Sequence, residues 1–343
     1  MVESLAPLLL VVDGNSLLHR AYHAAATGRL LDDDGRAVWA LKGLVSHVAH
    51  AAAQLRPDAV LIGFDCPEHS VRKADYAGYK AQRPDKPPEL SEQLAAAPDL
   101  LRAARLPVVV PAGYEADDVL ASSAATARAG GWRTIVVTSD RDTFALIDAT
   151  TSVLRVRNGG RDASILVTAA TLPDVCGVES WQYRDFAALR GDPSDNLPGV
   201  RGFGSRTAAR LLAAFGGVDG VWTALDTGRD DEVRAAVGER AAAHLGTATA
   251  RETVTRNRRL MAMRADLPVP DLETIRLPVA LPTMRRALAD RGIRLGPSLW
   301  ALTGGAPPVE VSAGAAEVPW MRIVTRPARS RRPTPGPGQL ALF

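Results

Sequence analysis

Two cysteines in 343 residues, Cys66 and Cys176, fit neither a disulfide framework nor a zinc motif. Their scarcity suits a protein of a reducing cytoplasm, and Cys66 reads as a small buried filler. Long apolar runs are missing as well. Leu5 to Val12 is far too short to span a bilayer, and no basic segment precedes it. It ends in Asp13, so neither a signal peptide nor a membrane anchor is expected. No internal repeat stands out. Net charge is also nearly absent from the body of the chain. Five arginines and two glutamates in 301–343 account for the whole net charge of +3, which leaves the first 300 residues neutral.

What is present is an apolar content of 46%, enough for a substantial core in one large or two small domains. Leu8 to Val12 reads as a buried strand that runs into Asp13. Ala59 to Phe64 is a second and ends in Asp65, and Thr134 to Val137 is a third, followed by Asp140 and Asp142. Val108 to Val110 is a shorter one, and Ser152–Val156 and Ser164–Val167 are two more candidates. Helical patterns, such as Val38 to Leu55, separate them. Apolar runs alternating with helices indicate a parallel sheet covered on both faces. Ligands of such sheets bind beyond the carboxyl ends of the strands, where these aspartates cluster.

Glu115-Ala116-Asp117-Asp118 places three carboxylates in four residues at the start of an apolar-periodic helix. Acids at a helix N-terminus complement its unpaired N–H groups. Three together repel one another unless a cation sits between them, and helical spacing puts Glu115 and Asp118 on one face. Both readings, a helix cap and a divalent-metal site, stand at this point. If nine acids converge on one spot, the rest of the body carries about +9, a layout suited to a polyanion that meets metal ions.

Residues 67–88 are polar, closed by prolines and basic (Arg72, Lys73, Lys80, Arg83, Lys86), with Tyr76 and Tyr79 interleaved. Such an insertion suits a single strand, with charge on phosphates and rings on bases. Gly202-Phe203-Gly204 feeds a helix carrying Arg206 and Arg210, a pattern that offers backbone N–H groups and positive charge to phosphates. Residues 216–300 look helical and amphipathic. From about Gly304 the pattern dissolves into Pro, Gly, Ala and Arg, as expected of a disordered tail. It ends in the apolar hook Gln339-Leu340-Ala341-Leu342-Phe343, a form that can dock into a partner's groove.

In combination these motifs are specific. Val12-Asp13-Gly14-Asn15-Ser16, Gly63-Phe64-Asp65, Val71-Arg72, Tyr79-Lys80, Gly113 to Asp118, Thr138 to Asp142, Gly191 to Val200 and the 202–204 turn resemble the flap endonuclease family of 5′-nucleases. The likeness is to the 5′-3′ exonuclease domain of bacterial DNA polymerase I, and it covers roughly residues 8 to 295. Nothing long enough for a polymerase follows, so a stand-alone nuclease is expected.

The resemblance implies an α/β fold of the PIN/5′-nuclease type. A mostly parallel central sheet would be flanked by helices, with a helical arch and a helix-three-turn-helix C-terminal subdomain. Residues 1–175 would form the catalytic domain, including the arch at 67–88. Residues 176–300 would form the helical subdomain, and 301–343 the tail. The implied metal ligands are Asp13, Asp65, Glu115, Asp117, Asp118, Asp140, Asp142, Asp192 and Asp195. Asp13, Asp65, Glu115 and Asp117 would serve one divalent ion, Mg²⁺ or Mn²⁺. Asp140, Asp142, Asp192 and Asp195 would serve the other, and Asp118 would act directly or through water. Lys80 and Arg72 join Asp13 and Asp140 as catalytic residues, steering the scissile phosphate. Arg20, Tyr79, Arg83, Gly202, Gly204, Ser205, Arg206 and Arg210 are the implied DNA contacts, with K⁺ held by loop carbonyls of the helix-three-turn-helix. Many relatives carry Lys at the position of Arg206, and the positive charge is kept. The implied substrates are 5′ flaps, nicks, 5′ ends and RNA primers, met in Okazaki-fragment processing and repair. Gln339, Leu340, Leu342 and Phe343 resemble the sliding-clamp pentapeptide. A cytoplasmic, nucleoid-associated monomer is expected, free of membrane. The rival readings are a non-catalytic junction binder tethered to the clamp and a metal-dependent phosphatase or RNase-type hydrolase.

Overall fold

The structure is a computed structural model, and it describes residues 6–24, 30–157, 164–295 and 297–307. Its centre is a six-stranded sheet built from β1 (Leu8–Asp13), β2 (Ala59–Gly63), β3 (Val108–Val109), β4 (Arg133–Thr138), β5 (Thr151–Arg155) and β6 (Ile165–Val167). The strands lie in the order β3-β2-β1-β4-β5-β6, all parallel to their neighbours except β6, which pairs antiparallel with β5. The sheet is thus mostly parallel, as expected, and β6 is the exception. Nine residues separate β5 from β6, too few for the helical crossover a parallel pair needs.

Both faces of the sheet are covered. In β1 successive residues point to opposite sides. Leu10 and Val12 enter a core shared with Leu17 and Leu18 of α1 (Gly14–Ala24), Leu44 and Val48 of α2 (Trp39–Leu55) and Leu101. Two further helices follow on, α3 (Val71–Asp75) and α4 (Pro88–Ala103), the latter carrying Leu101. Leu9 and Val11 enter the opposite core, together with Val119 and Leu120 of α5 (Ala116–Ala129). That second core runs on without a break into the C-terminal helices.

After α6 (Leu172–Cys176), α7 (Tyr183–Arg190) leads into a tight pair of two-residue strands, β7 (Gly191–Asp192) and β8 (Leu197–Pro198). α8 (Ser205–Phe215), α9 (Val218–Asp226), α10 (Asp230–Val237), α11 (Glu239–Leu245) and α12 (Ala248–Leu260) complete the helical part. α13 (Leu281–Ala289) and α14 (Trp300–Thr303) pack back on the α2 side of the sheet. The β7–β8 turn needs its glycines. Gly191 has φ +75°, and a Cβ there would lie 2.2 Å from the Gly199 nitrogen. That close crossing turns Asp192 and Asp195 out of the end of α7. No described helix is long and apolar enough to cross a membrane.

Segment 67–88 holds one five-residue helix, α3, and otherwise turns and irregular chain. Its helical part is therefore short. The segment folds down on Leu197 and Leu260 through Tyr79.

Candidate metal centre

The strand order reverses between β1 and β4, and a crevice opens beyond the carboxyl ends of the strands at such a point. Asp13 is the last residue of β1. Asp65 lies two residues past β2, and Asp140 two past β4. Glu115 caps α5, which follows β3, and Asp117 lies in its first turn. From the far side the β7–β8 turn brings Asp192 and Asp195. Carboxylate oxygens of Asp142, Asp192 and Asp195 all lie within 4.8 Å of one another.

Several of the acids are aimed by hydrogen bonds of their own. Asp13 accepts from the Ser16 N–H at 2.9 Å and from the Thr138 hydroxyl at 2.8 Å. Asp65 accepts from the Ala116 N–H at 2.9 Å and from Asn15 Nδ2 at 3.0 Å, while its own N–H donates to Asn15 Oδ1. Asp140 accepts from the Asp142 N–H at 2.9 Å, and Asp192 from the Ser194 N–H at 2.8 Å. Asn15, Ser16 and Thr138 were not singled out as site residues, although all three lie inside the motifs read from the sequence. The signal for Asn15 is its place two residues after a strand-end aspartate, where an amide bridges two turns.

The acids crowd one another electrostatically. Burial pushes Asp13 up to about 7, with Asp65 and Asp140 adding to it and the Ser16 N–H opposing. Burial and then Asp140, Asp192 and Asp195 push Asp142 up to about 8, against relief from Arg190. Asp117 is held well above the ordinary carboxylate range by burial, Asp140 and Asp13. Asp65 is raised by burial, partly offset by the Ala116 N–H and Lys80. An all-oxygen donor set of mutually repelling carboxylates fits hard divalent cations, not zinc-type sulfur and nitrogen sites.

This crowding has a measurable signature. In the unfolded chain these groups lose their protons near pH 4, whereas in the fold Asp13 and Asp142 hold them to about 7 and 8. The metal-free fold is therefore at its most stable, as far as these groups go, below about pH 4, and it loses that stability as pH rises to about 8. We expect a metal-free Tm roughly 5–10 °C lower at pH 8 than at pH 5.5. Mg²⁺ should raise Tm more at pH 8, where it no longer competes with protons. A metal-free Tm that does not fall across this window would refute the crowding.

Basic side chains of 67–88 reach into this centre. Lys80 Nζ lies 2.9 Å from Glu115 Oε2 and 4.0 Å from Asp195. Burial disfavours its charge, but Glu115 and Asp195 outweigh that and raise its pKa. Arg83 lies 2.5 Å from Asp195.

Three side chains differ from what the sequence suggested. Asp118 is fully buried and takes both guanidinium nitrogens of Arg72 at 2.7 Å. It also accepts the N–H groups of Glu115 at 3.0 Å and Arg264 at 2.8 Å. Its oxygens are thus engaged by the protein, and it anchors the helix start instead of facing a metal. Arg72 spends its remaining donors on Glu115 at 3.2 Å and on the carbonyls of Leu260 and Ala262. It positions carboxylates and leaves no fork for a phosphate. Tyr79 is only 4% exposed, and its hydroxyl donates to Glu115 at 3.0 Å, so its ring is no stacking platform for a base.

The remaining candidates are more open. Arg20 donates to the Arg157 carbonyl. Gly202, with φ +88°, and the extended Gly204 lead into α8, where Ser205, Arg206 and Arg210 are exposed. Gln339, Leu340, Leu342 and Phe343 lie outside the described residues.

Comparison with known proteins agrees with this arrangement. Residues 8–172 match the family model of a 5′-3′ exonuclease N-terminal resolvase-like domain, and 178–281 that of a 5′-3′ exonuclease C-terminal SAM fold. DNA polymerase I of Mycobacterium leprae (strain TN) is 36% identical over 272 residues, which are 79% of this chain and 28% of that protein. The chain thus spans less than a third of that relative's length. Bacteriophage T5 flap endonuclease, in a pseudo-enzyme-product complex with DNA and metal ions, superposes with a TM-score of 0.55 at 21% identity over 74% of this chain and 88% of that one. Human GEN1 in complex with Holliday junction DNA gives 0.56 at 16% identity, over 86% and 71%. At such identities these structures share the fold, a mostly parallel sheet with flanking helices and a C-terminal helical part. With both of its domain models matched in order along one chain, the protein belongs to the 5′-3′ exonuclease family of nucleases.

Proposed function

We propose that this chain is a structure-specific 5′-nuclease that hydrolyses DNA phosphodiesters at 5′ ends, nicks and 5′ flaps, in Okazaki-fragment processing and DNA repair. The observation that carries the reading is the convergence of carboxylates from β1, β2, α5, β4 and the β7–β8 turn on one crevice with basic side chains folded over it. Asp13, Asp65, Glu115 and Asp117 would hold one divalent ion, and Asp140, Asp142, Asp192 and Asp195 a second, Mg²⁺ or Mn²⁺. Such a pair supplies an activated water and neutralises the leaving oxygen. Lys80 keeps one hydrogen bond, to Glu115, and has donors left for a scissile phosphate. Arg83 sits further out and meets the incoming strand. Exposed Arg206 and Arg210, with the backbone N–H groups at the start of α8, grip duplex phosphates. The 199–204 loop carbonyls are the candidates for K⁺.

The division of labour between 1–175 and 176–300 belongs to the same reading, as do a monomeric state, a cytoplasmic location and RNA primers as further substrates. The tail residues Gln339, Leu340, Leu342 and Phe343 would tether the nuclease to the sliding clamp. A non-catalytic junction binder is disfavoured, because the carboxylates around Asp140 are all retained and such a binder has no use for them. A small-molecule phosphatase has no use for the basic cover or the Gly-x-Gly helix.

End-labelled flap, nicked and blunt duplexes incubated with and without Mg²⁺ test the proposal. We expect Mg²⁺-dependent release of 5′ products at the single-strand/duplex junction. Deleting Gln339 to Phe343 should abolish clamp binding and leave that cleavage intact. Tight junction binding without any Mg²⁺-dependent product would favour the binder instead.

A further inference from the structure

Cys66 is not the buried filler its sequence position suggested. It is partly exposed, one residue past Asp65, at the foot of the 67–88 segment. The loop that begins with it is pinned at both ends to one turn. The Cys66 N–H donates to the Tyr114 carbonyl at 2.9 Å, and the Val71 N–H to the Gly113 carbonyl at 2.9 Å. Between these pins lie Glu68 and His69. Cys66 Sγ and His69 Nδ1 are 3.9 Å apart. The sulfur, a Glu68 carboxylate oxygen and an imidazole nitrogen of His69 all lie within 4.8 Å of one another.

The imidazole is held from its other side. A Cβ on Gly113, which has φ +79°, would sit 3.0 Å from His69 Nε2, so only a glycine lets the ring lie there unstrained. Thiolate, imidazole and carboxylate from a short loop make a three-ligand set with a fourth position open to solvent.

We propose that Cys66, Glu68 and His69 bind one zinc-class divalent cation, apart from the carboxylate centre. Sulfur and nitrogen donors select zinc or a similar borderline ion over Mg²⁺. The loop runs on into Ser70 and Arg72, which reach Glu115 at 3.4 Å and 3.2 Å. An ion bound there stiffens the strap that aims Glu115.

The test is a titration of the metal-free full chain with Co²⁺ in excess Mg²⁺, read by thiolate-to-cobalt charge-transfer absorption. We expect one equivalent to produce the band and Zn²⁺ to displace it. Cys66→Ser should lack the band while keeping wild-type Mg²⁺-dependent cleavage, and His69→Ala should weaken Co²⁺ binding at least about tenfold. Asp140→Ala should retain the band, which separates this site from the nuclease reading. No band in the wild-type chain, or one that survives Cys66→Ser, overturns the proposal.

Discussion

Replacing Asp140 by Ala is expected to abolish cleavage, lowering the rate at least about a thousandfold, or roughly 4 kcal/mol of barrier, while DNA binding stays measurable. Asp140 is exposed and two residues past β4. It is the one acid that raises the pKa of Asp13, Asp117 and Asp142 alike, so it borders both groups of carboxylates. In the proposed reading it belongs to the second ion and stands next to the first. The cations proposed to meet phosphate, Lys80, Arg206 and Arg210, are untouched by the change, so flap affinity without divalent metal should move less than about threefold. A second readout separates chemistry from damage. Removing one of several repelling carboxylates should hold or raise the metal-free Tm at pH 8, because a source of repulsion is gone. A variant that cleaves fully in Mg²⁺ would sink the assignment. One that loses activity only by unfolding would show it in Tm.

Much of this site was legible along the chain because strands announce themselves locally. Leu8 to Asp13, Ala59 to Gly63 and Arg133 to Thr138 are apolar runs that end in or just before acids, and parallel pairing then carries those acids to one edge. What could not be read was which acid has a partner. Glu115 and Asp118 have the same spacing to the helix start as any capping pair, and only the fold shows Arg72, 46 residues earlier, closing on Asp118. Tyr79 looked like a nucleic-acid side chain by composition. Its burial against Leu197 and Leu260 depends on the β7–β8 turn and α12, more than a hundred residues away. Cys66 was misread for the same reason, since its exposure depends on how the Gly113–Tyr114 turn holds its loop. Local chemistry predicts the element, and long-range packing decides the role of the side chain.

The pairing that the sequence concealed yields the largest stability effect. Arg72→Ala is expected to destabilise the fold by about 3–5 kcal/mol, because it strands a fully buried carboxylate without its partner. At roughly 2–4 °C per kcal/mol the Tm should fall by about 10 °C. Asp118 fixes the first turn of α5 through the Glu115 N–H and ties in the chain at Arg264, so the loss should spread to Glu115 and lower cleavage as well. Arg72→Lys keeps a charge but not the two-pronged geometry, and should recover only part of the loss. The deciding variant is Arg72→Ala combined with Asp118→Asn. Removing the stranded charge should return part of the lost stability, a coupling that a double-mutant cycle reads directly. If Arg72 instead served the scissile phosphate, Arg72→Ala would cut the cleavage rate at an unchanged Tm, and Asp118→Asn would bring nothing back. Measuring Tm and single-turnover cleavage on all four proteins separates the two roles.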